Sequence, residues 1–453
     1  MEKDAIGQVV IHNGTIVDAD GSSCEDLVLE NGKISSRGIF DFPANKSYRE
    51  IDATGKFIFP GGFDPHVHLA LPTPAGNSCD DFISGSGAAL AGGTTFLMDF
   101  VTPNRGQSLH EALRLRRSES AESVSGCGLH VGISEWNPGI AAEIIPLMEQ
   151  KGITSFKAYL AYHESIGISY AALKELMEIV GSAGGLVMVH CEDGEMISRL
   201  QQELLHKGKT RACYHPVSRP NEAEIRAIGQ VIELSEKTRC PIYIVHTSTG
   251  KGAERIAAAK KKGIRIFGET CPHYLLLDDS VYDESLDNRT VMPYVLSPPV
   301  RSRNDQQMLW NALSNGIFDV VATDHCPFNL HGQKERGRDD FTKIPNGAGS
   351  IEHRLSLLYT YGVLPKKITI NQFVSLVSTR PAEIFGLGHR KGKLLPGYDA
   401  DIVIWDPEFK GIISVKTHLQ NCDSEIYEGV QIQGRPDTII LGGKILTSSP
   451  VIP

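Results

Sequence analysis

Residues 57–69 read FIFPGGFDPHVHL: an apolar strand-like start, a Pro-Gly-Gly turn, and a second short run ending on His66 and His68. This run is the first of eight. The others are TTFLMDFV (94–101), LHVGISEW (129–136), TSFKAYLAY (154–162), GLVMVHCE (185–192), PIYIVHTS (241–248), IRIFGETC (264–271) and FDVVATDH (318–325). Between them lie segments such as SYAALKELMEIVGSAG (169–184) and NEAEIRAIGQVIELSEKT (221–238), whose apolar residues recur at i, i+3, i+4 and i+7. That is the spacing of helices with one buried face. Eight β–α repeats over roughly 320 residues suit an α/β fold of the (β/α)8 TIM-barrel type. A doubly wound open sheet is the alternative, and the polar residues weigh against it.

A buried parallel strand should be apolar throughout, so polar side chains at C-terminal strand ends point to a site on the barrel's upper face. Five of the eight runs break in this way, at His66 and His68, Lys157, His190, His246 and Asp324. His66 and His68 stand at i and i+2, on one face of a strand, and can reach one ion together. Taken singly, a strand-end histidine is more often a hydrogen-bonded core residue than a ligand, and a strand-end aspartate more often caps a helix. Lysine is almost never fully buried unless paired. All six at the same end of one barrel make a metal centre. Four imidazoles and a carboxylate suit zinc, with manganese, iron or cobalt open. Lys157 fits if CO2 carboxylates its amine, because the N6-carboxylated side chain can bridge two divalent ions.

The two chain ends have a different texture. Residues 9–51 alternate in short runs broken at Asn13-Gly14 and Asn31-Gly32, a strong hairpin signal. Beyond Gly388 short apolar strands with Gly and Pro punctuation return. The expected organisation is a small β-sandwich built from residues 1–58 and 388–453 around a barrel of residues 59–387. The 453-residue chain is 41% hydrophobic and 22% charged, with a formal charge of −9 that argues against nucleic acid or anionic membrane as partner. Nine cysteines without a C-x-x-C pair, and no apolar stretch of signal-peptide or membrane-span length, predict a cytoplasmic protein with free thiols.

These residues resemble the amidohydrolase superfamily and, within it, the cyclic amidases called dihydropyrimidinases or hydantoinases. The likeness runs through PGGFDPHVH (60–68), DDF (80–82), GGTT (92–95), SFKAYLAY (155–162), SRP (218–220), ETCPHYLLLD (269–278), SPPVR (297–301), TDHC (323–326), PNGAGSIEHRL (345–355) and PGYDADIVIWD (396–406). The resemblance implies a hydrolase that opens cyclic ureides to N-carbamoyl amino acids. It implies His66, His68, Lys157 and Asp324 as ligands of one metal and Lys157, His190 and His246 as ligands of the second. Asp324 becomes the proton carrier, Tyr162 the oxyanion donor, and Ser297 and Asn346 the positions whose backbone holds the substrate's amide edge. It further implies a homotetramer or homodimer.

Dihydroorotases of this superfamily usually carry a substrate-binding arginine at the position of Ala70, and allantoinases generally lack the tyrosine found here at 162. The non-enzymatic relatives, of the collapsin response mediator type, have lost metal ligands that this chain keeps. Of the neighbouring residues, His273 and His325 are expected to pack behind the site, Asp64 to orient a ligand or shape a turn, and Cys191 to face away. Cys326 reads as a small buried thiol, and Lys260–Lys262 as a solvated helix end. Tyr159 and the loops ALPTPAGNSC (70–79) and HESIGIS (163–169) are expected to shape the pocket for the ring substituent.

Overall fold

The structure is a computed structural model describing residues 8–41, 48–162 and 165–447. Its centre is an eight-stranded parallel sheet in sequential order: β1 (Gly62–Val67), β2 (Thr94–Val101), β3 (Gly126–Ile133), β4 (Ser155–Tyr159), β5 (Leu186–His190), β6 (Ile242–Ile244), β7 (Ile266–Thr270) and β8 (Val320–Val321). The sheet curls until its ends meet, where Val67 bridges His325 in parallel and the His68 N–H donates to the His325 carbonyl at 2.8 Å. This is the barrel read from the eight runs. Helices follow the strands, and several start on a short polar cap. Asp81 forms a capping box with Ser84, and Ser169, Asp193, Thr249 and Ser302 each accept an N–H from the helix they open.

Alternation along the strands decides which side chains enter the barrel. Phe96, Met98 and Phe100 of β2, Leu186 and Met188 of β5 and Tyr243 of β6 pack with Phe63 and Phe385 into an apolar plug. The same inward rows continue upward into Lys157 and Tyr159 on β4 and His190 on β5. Two strands are shorter than their apolar runs. β6 stops at Ile244 and β8 at Val321, so His246 and Asp324 lie on irregular chain beyond them, each with a positive φ, 36° and 49°. Asp and His enter that left-handed region more readily than most side chains, yet a non-glycine residue there is uncommon, and its occurrence at both positions marks the candidate site.

The chain ends build two further sheets. One has the order 33–38, 26–30, 8–12, 48–52; the other runs 444–447, 431–441, 402–412, 57–60, 15–18, 21–23 and therefore mixes both ends. Val9, Ile11, Leu27 and Leu29 of the first sheet share a core with Ile16, Ile58, Ile402, Ile404 and Ile440 of the second. Asn31-Gly32 makes the expected hairpin, with Glu30 paired to Lys33 and both turn residues at positive φ. Asn13-Gly14 does not. Val9 pairs with Leu29 while Thr15 pairs with Phe57, so this turn carries the chain from one sheet to the other. The residue pair is the same, but Gly14 does not take the positive φ that Gly32 does, and the strands on either side belong to opposite layers.

Candidate metal centre and active-site cavity

The inward rows converge on a cavity of about 600 Å³ at the C-terminal mouth of the barrel, bordered by His66, His68, Lys157, Tyr159, Tyr162, His190, His246, Ser297, Asp324 and Asn346. Every side chain singled out from the sequence as a site residue reaches it. Asp324 Oδ1 lies 3.1 Å from His66 Nε2 and 3.3 Å from His68 Nε2, while His190 Nδ1 lies 2.9 Å from His246 Nε2. Donor atoms of His66, His246 and Asp324 fall within 4.8 Å of one another. In a tetrahedral site with bonds near 2.0–2.1 Å, adjacent ligands stand about 3.3 Å apart, so these spacings match a coordination shell.

The electrostatics agree with that geometry for three of the four imidazoles. Burial pushes the His68, His190 and His246 imidazoles below their usual value, His68 to about 4, so each offers a lone pair at neutral pH. Burial also works against protonation of His66, but the carboxylates of Glu269 and Asp324 outweigh it and raise that imidazole to about 9. Burial penalises the charged form of Asp324 as well, yet His66 and His68 hold its carboxyl well below the ordinary range. Lys157 is fully buried, its Nζ has no hydrogen-bond partner, and burial brings its amine down to about 8. Phe100 and Tyr159 present ring faces to it at 5.1 and 5.2 Å. A bare ammonium with no acceptor is a costly occupant of such a place.

A family model described as "Amidohydrolase family" matches residues 57–446. The chain belongs to the amidohydrolase family. It is 41% identical to D-hydantoinase of Geobacillus stearothermophilus over 96% of this chain and 92% of that protein, and 37% identical to dihydropyrimidinase of Arabidopsis thaliana over 97% and 82%. A solved D-hydantoinase from Bacillus sp. AR9 superposes with a TM-score of 0.95 at 39% identity, covering 98% of this chain and 96% of the other. Its place within the family is the hydantoinase and dihydropyrimidinase branch.

The family is metal-dependent, and the donor set here fits metal. Besides the spacing, His68 Nδ1, Lys157 Nζ and His246 Nδ1 are buried without hydrogen-bond partners. The fit extends behind the ligands. Glu269 meets His66 Nδ1 at 2.7 Å and accepts the His246 backbone N–H at 2.8 Å and the Tyr243 hydroxyl at 2.7 Å. Glu192 meets His190 Nε2 at 2.9 Å and accepts from Arg219 at 2.6 Å, turning His190 Nδ1 toward the cavity. Histidine ligands commonly lean on carboxylates in this way, which fixes ring orientation and tautomer.

Glu192, Arg219 and Glu269 were missed by the sequence reading, although GLVMVHCE, SRP and ETCPHY contain them. A carboxylate ending an apolar run is the signal that marks Glu192 and Glu269; Arg219 follows no such run. The neighbours divide as follows. His325 stands behind the site, bonded to Asp80 at 2.9 Å and receiving the Ser350 N–H at 3.1 Å. His273 is buried against Tyr274, with both ring nitrogens unpartnered. Asp64 accepts from the Thr323 hydroxyl at 2.6 Å and from the His66 N–H at 3.2 Å, tying β1 to the segment bearing Asp324.

Cys191 is buried and its thiol donates to the Val189 carbonyl. Cys326 borders the cavity. Lys260 pairs with Asp319 at 2.5 Å, whereas Lys261 and Lys262 are exposed. Leu71, Thr73, Pro74, Ala75, Ser165 and Ile166 line the mouth from the two loops expected to do so; residues 163 and 164 lie outside the described residues. Arg336 and Thr342–Ile344 line it too, from a stretch the sequence reading passed over. No helix among the described residues is long and apolar enough to cross a membrane.

Proposed function

We propose that this chain hydrolyses the cyclic amide bond of hydantoins and dihydropyrimidines, giving N-carbamoyl amino acids. The observation that carries this is the convergence of four imidazoles, Lys157 and Asp324 with Tyr162 and Asn346 in one cavity. The relatives named D-hydantoinase and dihydropyrimidinase support the choice of ring. In this reading His66, His68, Asp324 and N6-carboxylated Lys157 hold one divalent ion, and the same Lys157 with His190 and His246 holds the second, zinc being the first choice. Such ions, when bound, polarise a carbonyl as Lewis acids and lower the pKa of water.

The chain's own residues supply the rest. Asn346 Nδ2 donates to the Tyr162 hydroxyl oxygen at 3.3 Å, which leaves the phenolic O–H free to donate into the cavity. Tyr162 is fixed by backbone at φ 63° and by the Arg219 guanidinium 5.2 Å from its ring centroid. Its hydroxyl is aimed at the oxygen that gains negative charge as water adds to the ring carbonyl. Asp324, a carboxylate at neutral pH, takes the proton of the attacking water and delivers it to the ring nitrogen as the C–N bond breaks. Backbone groups at Ser297 and Asn346 hold the amide edge of the ring. The protein works as a homodimer or homotetramer in the cytoplasm.

A panel of dihydrouracil, hydantoin, both enantiomers of a 5-substituted hydantoin, allantoin and dihydroorotate, followed by ring-opening absorbance, tests this. Turnover of the first three and little on the last two is expected. Rates on allantoin equal to or above those on hydantoin would overturn the assignment.

A further inference from the structure

A second group of metal-type donors lies away from the cavity, where the C-terminal segment crosses the barrel. Residues 413–430 form an excursion between the strands 402–412 and 431–441, closed at its neck by hydrogen bonds between Ile413 and Val430 and between Gly429 and Ile413. Polar contacts lay it on the barrel: the Leu419 N–H donates to Glu352 at 2.6 Å and the Asn421 N–H to Asp80 at 2.8 Å. At its centre one carboxylate oxygen, Glu425 Oε2, meets three nitrogens. His418 Nδ1 is at 3.0 Å, His353 Nε2 at 3.2 Å and Gln420 Nε2 at 3.3 Å, and Gln420 Nε2 is also 3.5 Å from His418 Nδ1.

These spacings are the edges of a tetrahedral shell, about 3.3 Å for bonds near 2.0–2.1 Å. The supporting bonds are those of a built site. The other ring nitrogen of His418 faces the Cys422 carbonyl at 3.0 Å, so both ring nitrogens meet acceptors, and a cation at Nδ1 would take the place of the proton held there against Glu425. Glu425 Oε1 accepts the Tyr427 N–H at 3.0 Å, fixing the carboxylate.

Hydrogen bonding within the cluster alone does not balance. His353 and Gln420 are each more than nine-tenths buried; His353 Nε2 meets only the Glu425 oxygen that His418 already shares, and Gln420 Oε1 has no hydrogen-bond partner. A buried unpaired polar atom is costly. Rotating the Gln420 amide by half a turn brings Oε1 beside the Glu425 carboxylate, a repulsive pairing unless a cation sits between them. With a cation all four atoms are satisfied.

We propose that His353, His418, Glu425 and Gln420 form a structural zinc site that clamps residues 413–430 to the barrel. Two imidazoles, a carboxylate and an amide oxygen make a closed shell with no position left for substrate, unlike the centre at the barrel mouth. A cavity of about 520 Å³ bordered by His353, Thr417, His418 and Leu419 gives the ion an entry path. Asp80, which accepts from Asn421, also meets His325, the neighbour of Asp324, so the clamp bears on the chain that carries the proposed proton carrier.

The test is a difference in zinc equivalents per folded chain, measured by elemental analysis of zinc-saturated, gel-filtered protein. H418A is expected to hold one equivalent fewer than wild type while still opening the hydantoin ring. Because only the difference is read, the result does not depend on how many ions the barrel mouth holds or on its activity. Equal metal content in the two proteins would overturn the site. If H418A does not fold, H353L, altered on the barrel side, gives the same comparison. Independently of any substitution, brief chelation of wild type that removes one equivalent and keeps turnover is expected to open residues 413–430 to limited proteolysis. An unchanged cleavage pattern after that loss counts against the clamp.

Discussion

The Tyr162 hydroxyl accepts from Asn346 and has its own proton to give, whereas the Thr73, Ser165 and Thr342 hydroxyls of the cavity give theirs to Gly76, Tyr162 and Asp340. Removing one oxyanion donor costs roughly 10²–10³ in turnover. Y162F is therefore expected to lose kcat by about that factor while its metal content, read by elemental analysis, stays unchanged. Near-wild-type turnover would remove Tyr162 from the mechanism. Glu269 acts at one remove, since it meets His66 Nδ1 and receives the His246 N–H. Such partners are worth about 10–100-fold in metal affinity. E269Q is expected to weaken metal binding in a chelator competition by that factor and to recover turnover when metal is added in excess. The difference in legibility between these two residues is physical. His66, Lys157 and Asp324 stood out in sequence because a polar group ending an apolar run is conspicuous. Glu269 ends such a run too, but only the fold brings it to the imidazoles that explain it.

At the scale of elements, one buried side chain braces the barrel seam between the first and last strands. Arg354 is fully buried and donates to the Phe63 carbonyl at 2.9 Å, the Val321 carbonyl at 3.2 Å and the Thr94 hydroxyl at 3.0 Å, with Asp64 at 3.9 Å. It therefore ties β1, β2 and β8 where the sheet must close. The need is plain from β8, which is only Val320–Val321 and contributes little ladder of its own. R354A leaves these acceptors and the Asp64 charge without their donor. Breaking a buried charged network in this way costs about 3–5 kcal/mol. The expected result is a lower denaturant midpoint with helix and strand content retained below it; an unchanged midpoint would show that the seam is held otherwise. R354K is expected to recover little, because one ammonium cannot address three separated acceptors. The eight strands were legible from their apolar runs, but the lengths of β6 and β8 were not. Those runs continue past the last ladder bond, and nothing in them announces the left-handed backbone at His246 and Asp324.

At the scale of the whole molecule, the two chain ends were legible as β-rich and as partners, and the crossing at Asn13-Gly14 was not, because a turn signal does not say which layer the next strand will join. What holds the ends together is apolar packing between the sheets, trimmed by charge where Lys56 meets Asp437, Lys393 meets Asp20 and Lys33 meets Asp399. Asp399, almost buried, accepts from Lys33 at 2.6 Å and from Arg390 at 2.7 Å and lies 3.1 Å from Lys391, so it pins the N-terminal hairpin to the C-terminal return across 366 residues. Burial raises its carboxyl, but Lys33, Arg390 and Lys391 outweigh that and bring it to about 2. A carboxyl held below its unfolded value of 3.8 stabilises the fold fully above that pH and ceases to do so as pH falls through about 2. Lys33 and Arg390 are about half exposed, so solvent and salt screen the effect, and it is worth roughly 1 kcal/mol or less. D399N is therefore expected to lower the thermal midpoint slightly at pH 7 and low salt, and the gap to wild type should shrink both in high salt and as pH is taken from about 4 to 2. A gap that persists unchanged at pH 2 would mean that the asparagine disturbs packing at the joint rather than removing a charge.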